Sequence, residues 1–198
     1  TSNDTAKVSV GSGASLTADG DLAMQAKMAK PSDGNTIKAH AIAGSGGVYS
    51  GAVASVNVNV QHETEAIIGS GVTIKAKTAD ILADHQSKSE LRMESISAGL
   101  ASGDGGETSY TENSKVKVSV GDNSTITTTD ETTIQAENQT EKAQKALSGG
   151  ASLAGGSGIK NKTDITHTTN TTVGSKVTIK ASAVEPTEEG KTVYDKNA

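Results

Sequence analysis

Few residues in this chain are equipped for chemistry. The histidines are His40, His62, His85 and His167. His62 and His167 each stand seven residues before a glycine, Gly69 and Gly174, that recurs along the chain, and imidazoles at matching places raise the idea of a metal ladder. The corresponding place before Gly121 holds Ser114, so the ladder is broken and solvated, outward-facing histidines are expected. A second group, Asp80, Asp84, Lys88, Glu90 and Arg92, has the carboxylates and cations that a polysaccharide lyase or hydrolase sets along one groove. Such grooves also want aromatic platforms, and Tyr49, Tyr110 and Tyr194 are scattered, so a charged solvent face is expected. Asp19-Gly20-Asp21, Asp33-Gly34-Asn35 and Gly103-Asp104-Gly105-Gly106 lack the nine-residue register of calcium-binding β-rolls and read as turns. Gly69-Ser70-Gly71 invites a phosphate-loop reading, but no Gly-x-Gly-x-x-Gly follows, and Gly71 becomes Asn123 and Lys176 in later copies. Asn-x-Thr triplets begin at Asn3, Asn123, Asn138, Asn161 and Asn170; threonine richness alone would produce several, and glycosylation at them stays open. Thr127-Thr128-Thr129 and Thr168-Thr169 are too local for an ice-binding face. No catalytic, cofactor-binding or metal residue is assigned, no cofactor is implied, and an enzyme is not expected.

Composition narrows the classes further. The apolar fraction is 33% and aromatics are 2%, with no Phe, Trp or Cys, so the core must be thin and built of small aliphatics. A net charge of −5 with Arg92 as the only arginine offers nothing to neutralise phosphates, and nucleic-acid binding is not expected. No segment approaches the roughly 20 apolar residues of a membrane span, so no membrane insertion is expected. The absence of cysteine suits a chain exported unfolded. Thr1-Ser2-Asn3-Asp4 is not a signal peptide, and the chain is expected to be a section of a longer protein.

These side chains must be positioned by a repeat. The glycines Gly11, Gly69, Gly121 and Gly174 are 58, 52 and 53 residues apart (69 − 11, 121 − 69, 174 − 121). Each has an aliphatic residue before it (Val10, Ile68, Val120, Val173) and another five after it (Leu16, Ile74, Ile126, Ile179). Met24, Leu82 and Ile134 stand thirteen after, and Ala26, Asp84 and Ala136 two further on, so the strand at Asp84 is expected to have left the core. A second landmark aligns Ala41-Ile42-Ala43-Gly44 with Ile96-Ser97-Ala98-Gly99 and Ala146-Leu147-Ser148-Gly149, each opening a stretch of small residues. Alternating runs such as Val56, Val58, Val60 and Val116, Val118, Val120 lead back to the turn glycine. Residues 137–147 contain good helix formers, but with residues 27–39 and 86–94 they are read as outward-facing strand and loop. The two landmarks divide each repeat into two unequal turns of chain, and seven or eight such coils at about 4.8 Å would build a rod on the order of 35–40 Å long. Residues 1–183 form this repeat segment, and 184–198 are a loop or the start of a further coil, favoured by Thr192-Val193-Tyr194.

Gly-rich small residues, then Val-x-Val-x-Val, then Thr-Glu-Ala-x-Ile-Gly-x-Gly-x-x-Ile-x-Ala over residues 55–76, with looser versions at 114–136 and 163–181, resemble repeats of large bacterial exoproteins. Those are the filamentous-haemagglutinin and leukotoxin-like proteins exported by two-partner or autotransporter routes. The polar Ser124 and Thr128 depart from the pattern in the third repeat. The resemblance implies an all-β, right-handed parallel β-helix (β-solenoid) of imperfect repeats, placed outside the cell or on the bacterial surface. It implies a stalk or fibre segment of an adhesin or exotoxin. The alternatives are a glycan- or receptor-binding adhesin module, a β-helix polysaccharide lyase or hydrolase, and a self-assembling extracellular fibre subunit. The expected partners are neighbouring repeats, a host-cell glycan or protein, and copies of the chain joined end to end.

Overall fold

The computed structural model describes residues 1–28 and 36–182. Pro31, the Asp33-Gly34-Asn35 turn and the proposed coil start at 184–198, with Tyr194, lie outside the described residues. The regular elements among the described residues are all strands: β1 (Ser2–Val10), β2 (Ser15–Thr17), β3 (Leu22–Met28), β4 (Ile37–Gly46), β5 (Tyr49–Ile68), β6 (Thr73–Ala76), β7 (Ala79–Ala98), β8 (Ala101–Val120), β9 (Thr125–Thr128), β10 (Thr132–Ala151), β11 (Ala154–Val173) and β12 (Thr178–Ala181). The helix-forming run at 137–147 is drawn into β10, because its backbone completes a twenty-residue ladder with β7.

All pairing is parallel and falls in three sheets, β1-β5-β8-β11, β2-β6-β9-β12 and β3/β4-β7-β10. Each strand pairs with its counterpart one whole repeat away: Tyr49 with Ala101, Ala101 with Ala154, Ala79 with Thr132. The expectation of two turns of chain per repeat is therefore corrected. One repeat forms one broad layer, with a long strand out, a short strand across the end and a long strand back. Four layers at about 4.8 Å span about 14 Å between the outer strands, whereas twenty residues at about 3.3 Å make each layer roughly 65 Å wide.

The chain turns between the two long sheets at two ends. At the glycine end, Val10-Gly11, Ile68-Gly69, Val120-Gly121 and Val173-Gly174 lead into the short strands; at the other, Gly99-Leu100 and Ser152-Leu153 carry it straight across. A Cβ on Gly69 would lie 2.6 Å from the Ser12 nitrogen, and one on Gly121 would lie 2.5 Å from the Ser70 nitrogen and 2.6 Å from the Gly69 carbonyl carbon. Glycine is needed there because successive corners stack backbone on backbone. Left-handed backbone falls two residues later, at Gly13, Gly71, Asn123 and Lys176.

Two apolar clusters fill the space between the long sheets. One lies at the glycine end, around Ile68, Ile74, Ile81, Val116, Val118, Val120 and Ile126. The other lies toward the far end, around Val56, Val58, Val60, Leu91, Met93 and Tyr110. Each buried Val or Ile contributes roughly 1.5–3 kcal/mol. Ser124 takes the column of Val72, where its hydroxyl donates to the Gly69 carbonyl (3.0 Å) and accepts from the Val72 amide (3.2 Å), so this polar departure is satisfied.

Two alignments of the sequence are corrected by register. Met24 and Ile134 pair with Ile81, not Leu82, because the corner Lys77-Thr78 is one residue shorter than Thr129-Asp130-Glu131. Odd-numbered residues of β7 therefore face inward, Asp84 faces outward, and the strand never leaves the core. Gly44 and Gly149 pair with Ile96, three places from Gly99. The first spacing is longer because Met28 pairs with His85 and Ile37 with Ser89, so the first repeat has residues 29–36 where the second has only 86–88.

Candidate functional site: a buried polar belt

Between the two apolar clusters the inward columns turn polar. β5 brings His62 and Thr64; β8 brings Thr108, Tyr110, Glu112 and Ser114; β7 brings His85, Ser87 and Ser89; β10 brings Asn138, Thr140, Lys142 and Gln144. The strands themselves are continuous; only the side-chain chemistry changes, since parallel pairing needs nothing but backbone.

His85 is fully buried, and its Nε2 lies 2.6 Å from Nδ1 of His62, which is 7% exposed. The expectation of a solvated, outward position is overturned for His62, which packs against His85. They meet because β5 runs toward the glycine corner and β7 runs back from it. His62 Nε2 faces Oδ2 of Asp4 at 3.3 Å, and His85 Nδ1 faces Oδ1 of Asn138 at 2.8 Å. Asn138 is oriented by Ser114, whose hydroxyl donates to Oδ1 (3.0 Å) and whose carbonyl accepts from Nδ2 (3.4 Å). Burial holds the His85 imidazole below its ordinary pKa, against a smaller opposing pull from Asn138.

Glu112 is also fully buried, in the column of Val60 and Ile165. Its Oε1 accepts from Ser87 (3.0 Å) and Thr140 (2.6 Å), and its Oε2 accepts from Tyr110. Ser89 in turn donates to the Tyr110 oxygen at 3.0 Å. A buried carboxylate persists only when its lone pairs are met in this way. Desolvation first, and then the bond to Glu112, raise the Tyr110 phenol above its ordinary value. His167, level with His62 and Ser114, is on β11, and its Nε2 sits 3.0 Å from the Thr140 hydroxyl. Desolvation lowers the Lys142 amine, which stands 5.8 Å from the Tyr110 ring centroid.

The other sequence candidates fall elsewhere. His40 is on the outer face, level with Arg92. Asp80, Asp84, Lys88, Glu90 and Arg92 form one outward row on β7; at about 3.3 Å per residue it is drawn out over roughly 40 Å, and Arg92 pairs with Glu94. No carboxylate pair at glycosidase spacing arises from that row. Gly103-Asp104-Gly105-Gly106 is strand rather than turn, and Asp104 faces inward and is 8% exposed. Tyr49 is 84% exposed, whereas Tyr110 is core. Asn138 is committed to His85, and Thr128 is buried with its hydroxyl 3.0 Å from Thr132, so neither offers a surface group. Outside, Lys115 bridges to Glu63 (2.7 Å) and Glu65 (3.7 Å), and Lys7 bridges to Glu65 (3.1 Å). The Lys115 bond lowers the Glu63 carboxyl and raises the Lys115 amine, but exposed pairs of this kind contribute little.

Sequence reading missed the belt for two reasons: the one-residue slip put Asp84, not His85, on the inner face, and Glu112 carries no local mark of burial. A search of protein-family models, curated proteins and solved structures finds no match to this chain.

Proposed function

We propose that this chain is a section of a right-handed parallel β-solenoid serving as a structural stalk of a secreted or surface-displayed bacterial adhesin or exotoxin. The observation that carries the reading is parallel pairing of each strand with its counterpart in the next repeat in all three sheets, interrupted on the β7 side only between β3 and β4. The central layers are joined by twenty paired residues between β5 and β8, twenty between β7 and β10, and four between β6 and β9. Those hydrogen bonds run along the stack, so a pull on its ends loads many of them at once. Right-handed winding is the sense that strand twist favours for parallel crossovers. The bacterial, extracellular setting rests on the resemblance of residues 55–76 to exoprotein repeats.

A stalk of this kind is extendable by whole layers. Insertion of a second copy of residues 69–120 after Val120 is expected to keep a strand-type circular dichroism spectrum and to raise the unfolding midpoint. In X-ray scattering it should thicken the particle by about 4.8 Å. A chain that loses its fold on such an insertion is a closed domain, which removes the stalk reading. A glycan array probed with the parent chain is expected to stay blank; saturable binding to one glycan class would replace the spacer with an adhesive module.

A further inference from the structure

His62, His85 and Glu112 are all buried, and one ligand-capable atom from each lies within 4.8 Å of the others. The three come from β5, β7 and β8, so they tie the two long sheets together across the interior.

The hydrogen-bond pattern around the rings fixes which nitrogens are free. Asn138 is held by Ser114 with Oδ1 as acceptor, so His85 presents Nδ1–H to it and turns the Nε2 lone pair inward. His62 meets the Asp4 carboxylate through Nε2–H, which turns its Nδ1 lone pair inward as well. Two neutral imidazoles so oriented would place lone pair against lone pair at 2.6 Å. Something positive must lie between them, either a proton shared in the interior or a metal ion. Outer-ring N–H groups donated to a carboxylate and to an amide oxygen are the supports that metal-bound histidines use.

We propose that His62, His85 and Glu112 form a binding site for a borderline-soft divalent metal ion, with Zn²⁺ as the best match. Two imidazoles and one carboxylate are a known zinc donor set with a fourth position left for water. Zinc–nitrogen bonds of about 2.0–2.1 Å in tetrahedral geometry set ligand nitrogens roughly 3.3 Å apart, so the rings separate by about 0.7 Å on binding. Glu112 offers Oε2 to the ion by giving up its bond from Tyr110, while Oε1 keeps Ser87 and Thr140 as donors. Among the described residues the site is made once: the next layer has Ser114 level with His62, Asn138 level with His85 and Ile165 level with Glu112. It functions as a staple between the sheets, independently of the stalk reading.

The same columns supply variants that the fold already accommodates: His62→Ser, His85→Asn and Glu112→Val, each the residue that an adjacent repeat carries there. The experiment refolds the full chain with equimolar Co²⁺, then displaces it with Zn²⁺. The expected result is one ion per chain, the visible absorption of tetrahedral Co²⁺, and a rise in Tm with Zn²⁺ but not with Mg²⁺. That absorption should be lost in His62→Ser and His85→Asn and retained in His40→Gln, whose imidazole is on the outer face. Asn138→Ala should weaken binding by roughly ten- to hundredfold. No stoichiometric Co²⁺ or Zn²⁺ in the parent chain would leave a shared proton only and overturn the proposal. Absorption that persists in the His62→Ser, His85→Asn double variant would overturn it too. If a variant fails to fold, metal content and the Co²⁺ spectrum of the parent chain and of His40→Gln still decide.

Discussion

The four turn glycines give a graded test of how the layers stack. In Gly121→Ala the new methyl would sit 2.5 Å from the Ser70 nitrogen, 2.6 Å from the Gly69 carbonyl carbon and 2.8 Å from its oxygen. All three are backbone atoms of the layer beneath, and that layer is pinned on either side by the long strands. Overpacking typically costs about 1–3 kcal/mol, and rigid backbone contacts put this position near 3. At about 2–4 °C per kcal/mol for a chain of this size, Tm should fall by roughly 6–12 °C. Gly69→Ala meets Ser12 at 2.6 Å on its nitrogen, but Ser12 belongs to the first layer, whose described strands pair on one side only, so a smaller loss is expected. At Gly174 the methyl meets Asp122, partly through a side chain that can turn away. Gly11 has nothing within 4 Å and an ordinary backbone angle, so Gly11→Ala should be neutral or gain about 0.4–1 kcal/mol by restricting the unfolded chain. The assay is thermal unfolding of the four variants followed by far-ultraviolet circular dichroism. Equal losses at Gly11 and Gly121 would show that backbone conformation selects these glycines, and a Gly121→Ala midpoint within about 2 °C of the parent would refute close stacking of the corners.

Two further outcomes follow from the same geometry. Lys176 is left-handed at φ 56° where two other layers use glycine, so Lys176→Gly should stabilise by about 0.5–1 kcal/mol in urea unfolding, whereas Asn123→Gly should change little. The Tyr110 phenol is raised above its ordinary value by burial and by Glu112, so its contribution is intact below about pH 10 and is lost as pH climbs beyond that. In an alkaline titration its tyrosinate absorbance should appear only together with loss of the strand signal, and Tyr110→Phe should remove that delayed component. Titration of every tyrosine with the strand signal intact would contradict a buried Tyr110.

Much of the layer was legible in the sequence. The columns Ile68–Val120–Val173 and Ile74–Ile126–Ile179 are paired in register as read, because an aliphatic on a thin β core must recur at the same depth in every repeat. The turn glycine was legible as a corner, although its reason, a neighbouring backbone too close for any Cβ, is visible only in the fold. The size of a layer was not legible. The small-residue stretches imitate turns, but a parallel ladder tolerates Gly44, Gly103 and Gly149 within strands because it is held by backbone bonds. Local alternation settles that a strand has two faces. Which face is inside depends on the length of the preceding corner, and one residue fewer at Lys77-Thr78 exchanges Asp84 for His85. His62 and His85, 23 residues apart, touch because the chain reverses between them, and Glu112 joins them from the next layer. Sequence fixes what each column can hold; the meeting of those three side chains is decided by corner length and layer stacking, which are properties of the folded backbone.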